Sequence, residues 1–145
     1  MKLFLLCLII LSFTFTSTAQ LVQWRGPNRD GVFNETGLFK VWPEGGPQQI
    51  LEVEKIGKGW SSPIVWKGKI YLTTAETSAS GDQSLRVVCI DATSGKIDWN
   101  KEVLVAPKAK AASVHGKNSQ ASPTPTTDGE RVYVHFGHMG TAAID

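Results

Sequence analysis

The sequence contains little cysteine, with two residues among its 145. Cys7 lies in an apolar run at the N-terminus, which leaves Cys89 as the single thiol of the chain that follows this run. One thiol cannot form an internal disulfide, so a small fold held together by disulfides is excluded. Cys89 stands in an apolar stretch, and we expect it to be a small buried residue on a strand.

The chain also lacks an excess of charge of either sign. It has 15 Lys and Arg residues against 13 Asp and Glu residues, which gives a formal net charge of +2 at pH 7. This balance does not favour binding to nucleic acid or to an anionic membrane surface. The basic segment 106–117 is rich in alanine and has no interleaved aromatic residues for base stacking, so we expect it to be a solvated loop.

Long apolar runs are absent except at the N-terminus. Residues 1–19 carry one Lys, then a continuous apolar stretch, then Ser17-Thr18-Ala19. Small residues after such a run are typical of an export signal that is cleaved after Ala19. The run is short for a membrane span, although an uncleaved anchor is the alternative. We therefore expect a periplasmic or secreted protein that begins at Gln20 and keeps no stable membrane span.

No segment has a sustained helical period, but the chain contains an internal repeat of about 60 residues. Landmarks of the first copy return in the second: Ser62-Pro63 as Ser122-Pro123, Gly68 as Gly129, Tyr71 as Tyr133, and the sequence VVCID ending at Asp91 as TAAID ending at Asp145. A protein with such a repeat is expected to be built from similar units that pack against each other.

The first repeat carries four strand signals, which predict an all-β protein. The expected strands of an antiparallel meander span residues 61–66, 69–75, 84–91 and 96–103. Lys67-Gly68 is a tight turn, and a second turn runs from Asp91, which can bond the backbone two residues on, to Gly95, which tolerates a positive φ. We expect a complete unit over 61–103, a connecting loop over 104–120, and part of a second unit over 121–145.

A four-stranded sheet that recurs with an aromatic residue and a Gly at fixed places is typical of a β-propeller. The segment CIDATSGKIDW (89–99) resembles the repeat of pyrroloquinoline quinone (PQQ) propellers, Ala-x-Asp-x-x-Thr-Gly-x-x-x-Trp. Asp91, Gly95 and Trp99 match, while Cys89 replaces Ala and Ser94 replaces Thr. The resemblance implies that Trp99 docks between neighbouring blades, near the next blade's Gly, and gives its N–H to a main-chain acceptor.

Residues 24–63 are similar to the start of secreted bacterial PQQ-like propellers, relatives of the outer-membrane assembly lipoprotein. The resemblance implies that residues 48–56, within an N-terminal segment of residues 20–60, supply the outer strand of the last blade and close the ring. Leu51 stands where relatives often carry Trp, which weakens the closure. A ring of seven or eight blades needs roughly 300 to 450 residues, so we expect this chain to be a fragment that does not fold stably alone.

Two groups of residues are candidates for binding chemistry. His135 and His138 have a spacing that suits a metal on a turn, but no Cys or carboxylate cluster accompanies them, so we expect strand-end histidines and no metal site. The N-terminal segment combines an aromatic, two cations and turn formers, which are either ligand contacts on the face of the ring or a packed entry segment: Trp24, Arg25, Asn28, Arg29 and Asp30.

Several functions remain open at this point. The first is an exported, non-catalytic scaffold without a cofactor that binds other proteins of the cell envelope. The alternative is a quinoprotein dehydrogenase in which PQQ with Ca²⁺ accepts a hydride from an alcohol or sugar. A glycan-binding or carbohydrate-active propeller is a third. Dehydrogenase relatives usually carry an adjacent Cys-Cys pair, and this chain has neither that pair nor a Cys-x-x-Cys-His haem segment. We therefore favour the scaffold.

Overall fold

The computed structural model describes residues 20–111 and 113–145, so the predicted signal peptide at residues 1–19 lies outside the described residues. The described chain forms seven β-strands and one short 3₁₀ helix. The strands make two antiparallel sheets, one of four strands and one of three. The prediction of an all-β protein is therefore confirmed.

The first sheet is a meander in which the strands pair in chain order: β1 (Ile64–Trp66), β2 (Lys69–Thr77), β3 (Gln83–Asp91) and β4 (Ile97–Ala106). Lys67 and Gly68, with φ of 48° and 73°, form the tight turn between β1 and β2. β4 continues past residue 103, where we expected it to end, because residues 104–106 still pair with 83–85 of β3. The connecting loop therefore begins at residue 107.

The second sheet repeats the order of the first with shorter strands. It consists of β5 (Thr126–Thr127), β6 (Val132–His135) and β7 (Thr141–Ile144), with the 3₁₀ helix Gly137–Met139 between β6 and β7. Tyr71 and Tyr133, which align in the sequence repeat, both lie on the second strand of their sheet. The repeat in the sequence thus corresponds to a repeat of antiparallel strands.

The two sheets share one hydrophobic core. Side chains alternate across a strand, so every second residue of β2 and β3 faces the second sheet. The core cluster contains residues of both sheets: Ile64, Tyr71, Ala75, Leu85, Val87, Cys89 and Ala106 from the first, with Val132, Val134 and Phe136 on or next to β6. Cys89 is 3% exposed on β3, which confirms that it is a small buried strand residue.

The N-terminal segment reaches the edge of β2 that β1 leaves unpaired. Gly57 lies against the side chain of Thr74, which points to the face away from the shared core. Lys58 forms two backbone hydrogen bonds with Ala75, of 2.7 and 3.0 Å. Residues 48–56 form no strand in the described chain. A role for them in closing a ring stays a prediction.

A buried polar junction joins the sheets where the two Ser-Pro segments meet. The Thr73 side chain is fully buried on β2, and its hydroxyl donates to the carbonyl of Pro123 over 3.1 Å. The Ser61 hydroxyl donates to the Thr73 carbonyl and accepts from the Thr73 N–H. The Ser62 N–H donates to the Thr124 hydroxyl oxygen over 3.1 Å. Each repeat therefore contributes hydrogen-bonding groups to one shared network.

Gly59 provides the close approach that this junction needs. A methyl group on its Cα would have its carbon 2.6 Å from the Thr73 carbonyl oxygen. We therefore expect Gly59→Ala to lower the free energy of unfolding by about 1–3 kcal/mol, as overpacked sites do. Chemical denaturation of the purified protein measures this. Gly116→Ala is the matched control, since nothing lies near Gly116, and equal losses in both variants would contradict the close approach.

Candidate functional site

The Asp91 carboxylate stabilises the turn from Asp91 to Gly95. Its Oδ1 accepts hydrogen bonds from the Thr93 N–H at 3.2 Å, from the Ser94 N–H at 2.9 Å and from the Ser94 hydroxyl at 2.9 Å. Gly95 has a φ of 72°, which an L side chain rarely adopts. Ser94, where the resembled motif has Thr, gives its hydroxyl to this turn.

Lys69, the first residue of β2, links the turn to this strand through ion pairs. Its Nζ lies 2.7 Å from Asp98 Oδ2 and 2.9 Å from Asp91 Oδ2. Hydrogen bonds from Lys69, and then from Ser94, hold the pKa of Asp91 well below its usual range. The hydrogen bonds to Asp98 and Asp91 in turn raise the pKa of Lys69. The Lys69 ammonium is therefore the counter-ion of two carboxylates, Asp91 at the start of the turn and Asp98 on β4.

The second repeat contains an equivalent ion pair, which the sequence reasoning missed. Arg131 Nε donates to Asp145 Oδ1 over 2.6 Å. A cation stands two residues before Tyr71 in the first repeat and two residues before Tyr133 in the second. This equal spacing, together with the alignment of Asp91 with Asp145, could have predicted the second ion pair from the sequence.

Leu51 lies directly on Gly95. A methyl group on Gly95 would have its carbon 2.4 Å from Leu51 Cδ1 and 3.6 Å from Val53 Cγ2. Leu51 is the residue that stands where relatives in the resembled family often carry Trp. The contact therefore joins this position of the N-terminal segment to the glycine of the repeat motif.

Trp99 lies on β4 at the margin of the shared core. Its ring is 6.0 Å from the Tyr71 ring, tilted by 52°, and Lys101 Nζ lies 5.3 Å from its centroid. Burial raises the pKa of Tyr71 to about 12. Within residues 20–111 and 113–145 the indole N–H of Trp99 has no hydrogen-bond acceptor. Docking of Trp99 against a neighbouring blade, which the resemblance implies, stays a prediction.

The candidate ligand residues of the N-terminal segment lie on one loop. Hydrogen bonds from side chains of the same loop stabilise its conformation. Arg29 Nε donates to Gln23 Oε1 over 2.9 Å, and Arg25 Nη2 donates to the carbonyl of Asp30 over 3.1 Å. Arg25 and Arg29 adopt φ values of 62° and 60°, a conformation that needs such support. Arg25 and Asp30 therefore serve the loop itself, and Asn28 is exposed without lining the cavities described next.

Two open cavities meet at Trp24, and we call them together the tryptophan groove. One, of about 410 Å³, is lined by Trp24, Trp60, Ser62, Ser122, Pro123 and Thr124. The other, of about 340 Å³, is lined by Gln23, Trp24, Arg29, Thr124, Pro125 and Thr126. Of the candidates chosen from sequence, Trp24 and Arg29 thus reach a cavity. Trp60 was missed, because no local pattern distinguishes it from a core residue.

A second surface consists of residues 32–42, which we call the apolar segment. It exposes six large hydrophobic side chains by at least half of their surface: Val32, Phe33, Leu38, Phe39, Val41 and Trp42. The rings of Phe39 and Trp42 lie 6.3 Å apart. An exposed group of this kind is typical of an interaction surface.

His135 and His138 each form a hydrogen bond with a different partner. His135 Nδ1 is 2.9 Å from the Thr141 hydroxyl, and His138 Nε2 is 3.1 Å from the carbonyl of Lys110. Over residues 20–111 and 113–145 no group of three or more His, Cys, Asp or Glu side chains could hold a metal ion. The same residues include no helix of the length and apolarity that a membrane crossing requires.

The carboxylates with displaced pKa values cap turns. Hydrogen bonds from the Arg131 N–H and then the Tyr133 hydroxyl lower the pKa of Asp128 to about 2. A hydrogen bond from the Lys108 N–H, followed by one from a serine hydroxyl, lowers the pKa of Asp82. These hydrogen bonds, and the ion pair of Asp91 with Lys69, account for the three lowered pKa values.

Comparison of the chain with protein-family models, with curated proteins and with solved structures found no match.

The contact between Leu51 and Gly95 can be tested with two glycines of the same conformation. Gly95 and Gly68 have φ of 72° and 73°, but only Gly95 has a side chain within contact distance. Both Gly→Ala variants should lose about 1–2 kcal/mol of stability to the left-handed backbone, and Gly95→Ala should lose a further 1–3 kcal/mol or so to the clash. Chemical denaturation of both variants measures the difference.

The double variant Leu51→Ala/Gly95→Ala is the control for the origin of that difference. Removing the Leu51 methyl groups should recover part of the extra loss. If Gly95→Ala and Gly68→Ala lose the same stability, Leu51 does not press on the turn.

Proposed function

We propose that the chain is part of an exported PQQ-like β-propeller that acts as a non-catalytic protein-interaction scaffold in the cell envelope. The observation that carries the scaffold function is the apolar segment. Its six exposed hydrophobic side chains form a surface that a soluble protein seldom leaves uncovered. The expected partners are other proteins of the envelope, bound without a cofactor.

The propeller part of the proposal is supported by two observations. The sequence repeat coincides with two antiparallel sheets that share a core. Leu51, at a position where the resembled family often carries Trp, contacts the motif glycine Gly95. Similar sheets that follow each other along the chain and pack on a shared core are what a ring of blades requires.

The non-catalytic part is supported by where the unusual titrating groups lie. Asp82, Asp91 and Asp128 have lowered pKa values, because they accept hydrogen bonds from the Lys108 N–H, from Lys69 and from the Arg131 N–H, respectively. Contacts that hold the fold together therefore explain these shifts. The tryptophan groove, by contrast, is lined mostly by neutral side chains, which suit binding better than proton transfer.

The apolar segment also indicates the chemistry of its partner. Trp42 is 67% exposed and Phe39 68% exposed, and their rings lie close enough to form one aromatic surface. Aromatic side chains are the residues that most often carry the energy of an interface. We therefore expect a partner with an apolar groove that accepts this aromatic pair.

Site-specific photo-cross-linking tests the scaffold function. A photoreactive phenylalanine analogue at Trp42 should give one discrete adduct with an envelope protein, whereas the same group at Lys117, in the exposed loop, should give none. The partner is then identified and purified, and its affinity is measured by calorimetry. Trp42→Ala should weaken binding about tenfold or more, as loss of an interface anchor does.

Ile50→Ala is the control in the same measurement, because Ile50 is 92% exposed but lies outside the apolar segment. It should leave the affinity unchanged. A lack of any adduct at Trp42, or equal weakening by both variants, would contradict the scaffold. A quinone absorption band that survives dialysis, together with dye-linked alcohol oxidation, would instead support the dehydrogenase.

A further inference from the structure

The walls of the tryptophan groove carry two exposed indoles. Trp24 is 58% exposed and Trp60 66% exposed, although both line the same 410 Å³ cavity. The Trp60 backbone N–H donates to the carbonyl of Ala121 over 3.1 Å, and Arg25 lies 5.4 Å from the Trp24 ring. Two large aromatic surfaces therefore face solvent from a supported backbone, where a ligand can cover them.

The floor of the groove offers hydroxyl groups with unused hydrogen-bonding capacity. The Thr124 oxygen accepts from the Ser62 N–H, which leaves the Thr124 hydroxyl hydrogen free to donate. The Ser62 hydroxyl is half-buried and has no partner within residues 20–111 and 113–145. A hydroxyl can both donate and accept. An entirely apolar ligand would bury these groups without partners, at a cost of about 1–3 kcal/mol each.

The charge of the groove distinguishes between polar ligands. The residues that line the larger cavity carry no ionisable side chain. The lining of the smaller cavity adds one, Arg29, whose Nε already donates to Gln23. Arg25 lies beside the Trp24 ring, and its Nη2 donates to the carbonyl of Asp30. A polyanion such as nucleic acid needs several cations along its path. The groove therefore suits an uncharged ligand that has both apolar faces and many hydroxyl groups.

We propose that the tryptophan groove binds a neutral oligosaccharide. The C–H faces of a sugar ring can lie against the indoles of Trp24 and Trp60, while its hydroxyls exchange hydrogen bonds with Ser62 and Thr124. Each cavity has a volume within the range of small-ligand sites. This binding activity goes beyond the proposed scaffold function and uses a different surface, because neither cavity is lined by the apolar segment.

Titration of tryptophan fluorescence tests the proposal on the purified protein. The probes are three neutral hexasaccharides: maltohexaose, cellohexaose and chitohexaose. We expect a saturable change with at least one of them, with Kd of about 1 mM or tighter. Trp60→Ala should weaken that binding about tenfold, because the sugar then covers less apolar surface. Trp42→Ala should not change it, since Trp42 belongs to the apolar segment.

Further variants keep the test decisive if Trp60→Ala does not fold. Trp60→Phe retains an aromatic face and should keep most of the affinity, and Ser62→Ala should weaken binding severalfold through the lost hydroxyl. Circular dichroism verifies the fold of each variant. The proposal is overturned if none of the three probes binds, or if the folded Trp60 and Ser62 variants all bind like the unmodified protein. Because Trp42 serves as the control, failure here leaves the scaffold function to be judged on its own experiment.

Discussion

The junction between the two repeats depends on the hydroxyl of Thr73. It is fully buried and donates to Pro123 of the second repeat, while the backbone of Thr73 exchanges hydrogen bonds with the Ser61 hydroxyl. A buried carbonyl deprived of its donor costs about 1–3 kcal/mol. Gly59 allows the chain to reach this point. The same junction places Trp60 and Ser62 near Thr124, so the larger cavity of the tryptophan groove depends on it.

The features of the first sheet that are local in sequence could be predicted. Alternating apolar residues indicated its four strands, and the pair Lys67-Gly68 and the Asp91 carboxylate indicated its turns, because each involves residues close along the chain. The end of β4 could not be predicted, since Leu104 and Ala106 continue the strand only by pairing with β3. The ring-closing role expected for residues 48–56 stays a prediction.

Less of the candidate site could be predicted. Trp24 and Arg29 were chosen for their chemistry, and both reach a cavity, but Arg25 and Asp30 are used to shape their loop. Trp60 gave no signal, because its partner in the groove comes from a distant part of the chain. Tertiary packing brings such distant residues together, and no short pattern in the sequence predicts which of them will meet.

Amide hydrogen exchange of Thr73→Val, compared with the unmodified protein, tests most directly whether Thr73 makes the two sheets one unit. Valine keeps the shape of threonine and removes the hydroxyl. We expect the slowly exchanging amides of β3 and β6 to open with the same free energy in the unmodified protein. In the variant, the free energy of opening should fall by the same amount in both strands, about 1–3 kcal/mol. Faster exchange in β6 alone, with β3 unchanged, would contradict this expectation.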